Sequence, residues 1–244
     1  MIIFSDGESR KMWIQVMKHY LEMGVDVNAE ADSGHTAVFY DFPDYEILEL
    51  LISYGADINH QTHDGLTALM EAYILDTTNP LGTNSCARHL LENGADPNAV
   101  CNNGFNALVY ALKYSCCNIA HIRLLFEYNM DVDVSYVFSK HDRPMRVSLL
   151  YTAYDYEKFE VAELCLQYGL DMTKQNWLLE TARLPMGLRG NEDLYKKLLR
   201  LYQNPADLSV LARNKVRRLL GRDVSKTVTQ LGLPKRLESF VCCK

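Results

Sequence analysis

The chain has 244 residues, 48% of them hydrophobic, with 31 acidic against 25 basic side chains and a net charge of −6. That apolar content supports a continuous buried core and excludes a disordered chain, while no apolar run approaches the roughly 18–20 residues that cross a bilayer. The charge is divided: residues 1–203 carry 28 Asp or Glu against 16 Lys or Arg, whereas residues 204–244 carry nine Lys or Arg against three Asp or Glu. An acidic body repels phosphate backbones and the basic tail has little aromatic surface to stack on bases, which excludes nucleic acid as the expected partner.

Met1-Ile2-Ile3-Phe4 is too short for a signal-peptide core and runs into Asp6 and Glu8. A cytoplasmic location with no membrane contact is therefore expected. The seven cysteines, at 86, 101, 116, 117, 165, 242 and 243, form no CxxC pair and read as reduced thiols. Cys242-Cys243-Lys244 lacks the prenylation spacing, which needs Cys fourth from the end. His60 and His63 have no second ligand pair at zinc-like spacing, so they read as loop histidines, and neither a metal nor another cofactor is expected.

In chain order, Trp13, Val16, Met17, Tyr20 and Leu21 fall at helical spacing and predict a capping helix over 10–23. A repeat then begins: GVDVN at Gly24, GADIN at Gly55, GADPN at Gly94, NMDVD at Asn129 and GLDMT at Gly169. Twelve residues after the first three of these come HTAV with Thr36, LTAL with Thr67 and FNAL with Asn106, and the fourth copy, with Ser148, arrives seven residues late. Each unit reads physically. An apolar helix such as 45–53 ends at a glycine able to take the left-handed conformation. Asp57 and Asn59, like Asp96 and Asn98, bond amides in the following turn, and Asp64-Gly65 reverses the chain. Thr67 or Asn106 then caps the next helix, in which Leu69, Ala72 and Leu108, Ala111 face the core. Residues 76–83 read as a surface insertion and 138–144 as a lengthened fourth turn. Residues 177–183 and 192–202 predict a last helix pair.

These residues resemble the ankyrin repeat, a turn plus two antiparallel helices with a period near 33 residues, over roughly 10–203. The family's Thr-Pro-Leu-His stands here as Thr36-Ala37-Val38-Phe39, Thr67-Ala68-Leu69-Met70, Asn106-Ala107-Leu108-Val109 and Ser148-Leu149-Leu150-Tyr151. The resemblance implies an all-α solenoid of about five repeats behind a capping helix, occupying residues 1–203, that binds a partner protein and performs no catalysis.

After it, Asn204-Pro205 supplies a helix start, and Leu208, Leu211, Ala212, Val216, Leu219 and Leu220 form one stripe against Arg213, Lys215, Arg217, Arg218 and Arg222. Ser225 caps a second short helix reaching Leu231, and Leu233-Pro234 opens a third segment with Leu237, Phe240 and Val241 on one side. Three helices this small cannot bury their own apolar faces, so 204–244 must pack on something else.

This pattern resembles the SOCS box, and the whole chain is similar to the ankyrin repeat and SOCS box family of ubiquitin-ligase substrate receptors. In that family the first helix carries Leu, then Cys, then an aliphatic residue at four-residue spacing and inserts into elongin C. Leu208, Ala212 and Val216 match, with Ala212 in place of Cys. The resemblance assigns Leu208, Leu211, Ala212, Val216, Leu219 and Leu220 to an elongin B and elongin C contact. It assigns Leu231, Gly232, Leu233, Pro234, Leu237 and Phe240 to a cullin-5 contact, with Gly232 where the family has its first proline. The expected role is a substrate-recognition adaptor whose repeats hold an unidentified client; the alternatives are a plain scaffold whose tail is a capping helix set, and an F-box-like tail. No phosphate-binding loop, nucleophile elbow or paired acid and base appears, so an enzyme is not expected. The fifteen tyrosines, Tyr110, Tyr114, Tyr151, Tyr154 and Tyr156 among them, read either as a recognition surface or as packing.

Overall fold

A computed structural model of the chain describes residues 7–40, 45–75, 83–114, 119–140, 143–181 and 184–203. Its contacts divide it into two units, residues 1–116 and 117–244. Among the described residues the structure is mostly helical, with one two-stranded antiparallel hairpin that the all-α expectation did not include.

The first unit holds α1 (Gly7–Glu22), a 3-10 turn (Ala37–Phe39), α2 (Tyr45–Ser53), α3 (Ala68–Leu75), α4 (Thr83–Glu92) and α5 (Ala107–Tyr114). Three of its helices, α1, α2 and α4, stop for one reason. Gly55 has φ +86°, its N–H donates to the Ile52 carbonyl at 3.0 Å, and the next amide, of Ala56, returns to Leu51 at 3.1 Å. That pair of bonds satisfies two of the carbonyls a helix end would leave open. The same closure recurs at Gly24 and Gly94. Starts follow the caps: Thr67 Oγ1 accepts from the Met70 amide at 3.4 Å and Asn106 Oδ1 from the Val109 amide at 3.1 Å.

Each turn then ties to the next. Asn28 donates through Nδ2 to the Gly55 carbonyl at 3.2 Å and accepts the Asp57 amide at 2.8 Å; Asn59 does the same to Gly94 (3.1 Å) and Asp96 (2.8 Å). Asp26, Asp57 and Asp96 hold those asparagines by accepting the amides of Asn28, Asn59 and Asn98, each at 2.9 Å. The reversal at Asp64-Gly65 is as tightly set. Gly65 has φ +77°, and a Cβ there would stand 2.9 Å from the Asn102 backbone nitrogen. With the turns in register, α3 packs on α4 and on α5, and α2 packs on α4. Leu69, Leu90, Leu91 and Leu108 are buried between them. Each contributes roughly 1.5–3 kcal/mol by leaving water.

Two expectations change here. Thr36 does not cap a helix: its Oγ1 is buried without a hydrogen bond among the described residues, and only a 3-10 turn follows. Pro43 lacks the amide that a continuing helix would return to the Phe39 carbonyl. In α1, Val16 and Tyr20 lie exposed, so the stripe predicted from spacing is buried only in part.

The second unit holds α6 (Ile119–Glu127), β1 (Ser135–Lys140), β2 (Arg143–Ser148), α7 (Leu149–Asp155), α8 (Phe159–Gln167) and α9 (Glu192–Gln203). Asn129 takes the glycine's place after α6 with φ +60°, a conformation Asn tolerates better than most residues, and Gly169 closes α8 with φ +80°. The seven-residue delay before Ser148 is the hairpin, paired in register from Ser135 with Ser148 to Lys140 with Arg143. Ser148 ends β2 and caps α7, accepting the Tyr151 amide at 3.2 Å. α7 packs on α8 and on β2, and α6 packs on α8.

The helix expected over 177–183 is instead a 3-10 turn at Asn176–Leu179. Side chains hold this segment: Ser148 Oγ donates to Gln175 Oε1 at 2.5 Å, Trp177 Nε1 donates to the same oxygen at 3.0 Å, and Gln175 Nε2 reaches the Asp171 carbonyl at 3.2 Å. Pro185 stands close behind and would interrupt a longer helix. The final helix is observed as expected, as α9.

Candidate interaction surface

The repeat places equivalent side chains side by side. Four residues after Thr36, Thr67 and Asn106 come Tyr40, Glu71 and Tyr110, and packing of α3 on α5 and on the Ala37–Phe39 turn puts these positions on neighbouring elements. Tyr40 is 59% exposed, Glu71 half-buried and Tyr110 buried.

Around Tyr40, the His35 ring lies 5.7 Å from the tyrosine and 5.0 Å, edge-on, from Phe39. Ser33 Oγ fixes that imidazole at Nδ1, 2.7 Å away. Around Tyr110, Tyr114 stacks at 6.0 Å and Phe105 meets it edge-on at 5.7 Å. Lys113 places its ammonium 4.9 Å from the Tyr114 centroid and 5.6 Å from that of Phe105, within cation–π range. Burial, then a hydrogen bond with Cys101 (Tyr110 Oη to Sγ 3.4 Å), push the Tyr110 phenol up from its ordinary range.

Glu71 is the only charged residue of α3. Among the described residues its carboxylate forms no ion pair and no hydrogen bond; its electrostatic neighbours are His35 and, more distantly, Tyr110. Desolvation raises its pKa above the ordinary carboxylate value and His35 partly offsets this. Nothing in the spacing argument picked Glu71 out. The available signal was a lone acid in the otherwise uncharged run ALMEAYIL.

In the second unit the matching position is occupied differently. Four residues after Ser148 comes Thr152, whose Oγ1 is hydrogen-bonded to the Tyr136 hydroxyl from β1, and both residues are buried. Beside them a small recess is lined by Tyr136, Val147, Tyr151, Thr152, Asp155 and Tyr156. Burial pushes the Tyr136 phenol above its ordinary range, and that of Tyr154 to about 12. The tyrosines thus divide: Tyr110, Tyr151 and Tyr154 are packing residues, Tyr114 is 41% exposed, and Tyr156 is half-buried.

His60 donates through Nε2 to the Gly34 carbonyl at 2.8 Å, so it braces a turn, and His63 lies exposed 4.0 Å from Glu30. Cys86, Cys101 and Cys165 are buried and in no disulfide, and burial pushes the Cys165 thiol up to about 12. No group of three or more metal-binding side chains occurs among the described residues, nor any helix long and apolar enough to cross a membrane.

Residues 34–136 match ankyrin repeats, in three copies. The match covers the regular turns and ends at Tyr136 in the hairpin strand. No curated protein matches the chain. Ankyrin repeats mark a protein-interaction role, and of the aligned positions Tyr40 is exposed and Glu71 half-buried, while Tyr110 is buried. The residues assigned from sequence to elongin (Leu208, Leu211, Ala212, Val216, Leu219, Leu220) and to cullin-5 (Leu231, Gly232, Leu233, Pro234, Leu237, Phe240) lie outside the described residues.

Proposed function

We propose that the chain is a substrate-recognition adaptor of an elongin B/C cullin-RING ubiquitin ligase, with the ankyrin repeats holding a client protein and residues 204–244 holding elongin and, through 231–240, cullin-5. The observation that carries this reading is the order of parts. Ankyrin repeats over 34–136 precede a tail in which Leu208, Ala212 and Val216 recur at four-residue spacing, followed by Leu231-Gly232-Leu233-Pro234. The chain's contribution is proximity and orientation of the client, and the transfer chemistry belongs to the partners. Ala212 fills less volume than a cysteine in the elongin pocket, and Gly232 adds ordering cost to the cullin segment that a proline would avoid.

Affinity capture with the intact chain and with a chain lacking residues 204–244 tests the division of labour. The intact chain is expected to recover client together with elongins, and the shortened chain client alone. Elongins retained by the shortened chain, or absent from the intact one, would overturn the adaptor reading. A non-catalytic ankyrin scaffold or inhibitor would then remain.

A further inference from the structure

We infer that the Glu71 position in the first unit is a receptor for one lysine or arginine side chain of a partner protein, with Tyr40 beside His35 and Tyr110 beside Tyr114 at the matching positions of the neighbouring repeats. The inference rests on the protein-interaction role of the repeats and adds to it the chemistry of the residue they grip.

Three observations converge. A half-buried carboxylate with no ion pair or hydrogen bond among the described residues has lost part of its hydration without replacing it, a situation that a paired cation relieves. The side chain whose charge acts on it is a histidine rather than a Lys or Arg, and the ammonium of Lys113 in α5 is placed over the rings of Tyr114 and Phe105. Aromatic side chains occupy the matching positions of the neighbouring repeats, Tyr40 beside His35 and Tyr110 beside Tyr114, and such rings favour a cation and its apolar stem. The excess of 28 acidic over 16 basic residues in 1–203 steers a basic segment towards this body. The raised pKa of Glu71 has the same cause, loss of hydration by burial.

The repeat itself argues against a purely structural role. At the same position the neighbouring copies carry Tyr40 and Tyr110, so the stack does not require a charge there. A half-buried carboxylate without a partner is a cost to the free fold that function can justify, since stability is often traded for activity at binding sites.

The test uses the intact chain. In an NMR titration with N-acetyl-arginine methylamide, the amides of His35, Tyr40, Glu71 and Tyr110 are expected to shift together and saturably, at least fivefold more weakly in Glu71→Gln. N-acetyl-glutamine methylamide is expected to leave them unmoved. Shifts scattered elsewhere, or unchanged by Glu71→Gln, would overturn the inference. Selection of displayed random peptides on the same chain separates this from the wider interaction reading. Enriched peptides should carry a Lys or Arg whose replacement by Gln weakens binding at least tenfold, and the Glu71→Gln chain should lose them. Enriched peptides indifferent to both changes would sink the cation site and leave the interaction role standing. If no peptide is enriched the interaction role itself is in question, and the arginine titration alone decides the site. A thermal melt of Glu71→Gln at least as high as that of the parent chain establishes that lost binding is not lost folding.

Discussion

In residues 7–114 the turns before α3 and α5 are short, and the positions four residues past Thr36, Thr67 and Asn106 run from exposed Tyr40 through half-buried Glu71 to buried Tyr110. In residues 119–203 the corresponding turn is a twelve-residue pair of strands whose Tyr136 is hydrogen-bonded to Thr152, and the equivalent position is buried. The rungs differ too. Asn59 both donates and accepts across its turn, whereas Asp133 accepts the Asp171 amide at 2.7 Å and has no amide to give. Lys174 lies 3.7 Å from Asp133 and 3.8 Å from Asp171, neutralising the added charge. One sequence motif therefore serves two ends: the regular turns leave Tyr40 exposed and Glu71 half-buried, and the lengthened turn spends the same position on its own packing.

Mutations can break this contrast, and the largest effect belongs to the second unit. Ser148→Ala removes the α7 cap together with the bond to Gln175. It is expected to cost about 1–3 kcal/mol in urea unfolding. Thr67→Ala, which removes only the longer 3.4 Å cap of α3, should cost about 0.5–1 kcal/mol. If the two cost the same, the buried network around Gln175 contributes nothing.

A smaller effect comes from the rungs. Asn59→Ala deletes both bonds of an exposed side chain and is expected to lose about 1 kcal/mol. A loss under a few tenths would show that packing of the helices, not the turn ladder, sets the register.

The smallest effect has a sign that matters more than its size. Because burial raises the folded-state pKa of Glu71, its protonated form is favoured on folding. That contribution is fully present below the unfolded pKa and is lost as pH rises through the folded one. The titratable groups that act on it or on which it acts are His35 from the preceding repeat and Tyr110 from α5. Glu71→Gln should therefore equal or exceed the parent chain in melting temperature at pH 7, with the difference shrinking towards pH 4. A variant markedly less stable at pH 7 would assign Glu71 to the fold.

Much of this was legible residue by residue. Glycine after an apolar helix, Asp two before Asn, and Thr, Asn or Ser before the next helix are local rules, and α2, α3, α5 and α7 formed where those rules placed them. What escaped depended on partners far along the chain. Trp177 and Gln175 are bonded to Ser148, nearly thirty residues upstream, and no local periodicity reports that tie. The residues 138–144 read as a longer turn, yet strand pairing between Ser135 and Ser148 is a non-local decision. Glu71 was hidden for a further reason: a single charge in an apolar helix becomes informative only once its surroundings are seen to hold no cation for it.

The adaptor account is tested most directly by mixing the purified intact chain with purified elongin B and elongin C and measuring the mass of the product. A stable complex of all three is predicted, abolished by Leu208→Asp while the helix content in far-ultraviolet circular dichroism stays unchanged. Failure of the parent chain to bind, or undiminished binding by Leu208→Asp, would contradict it.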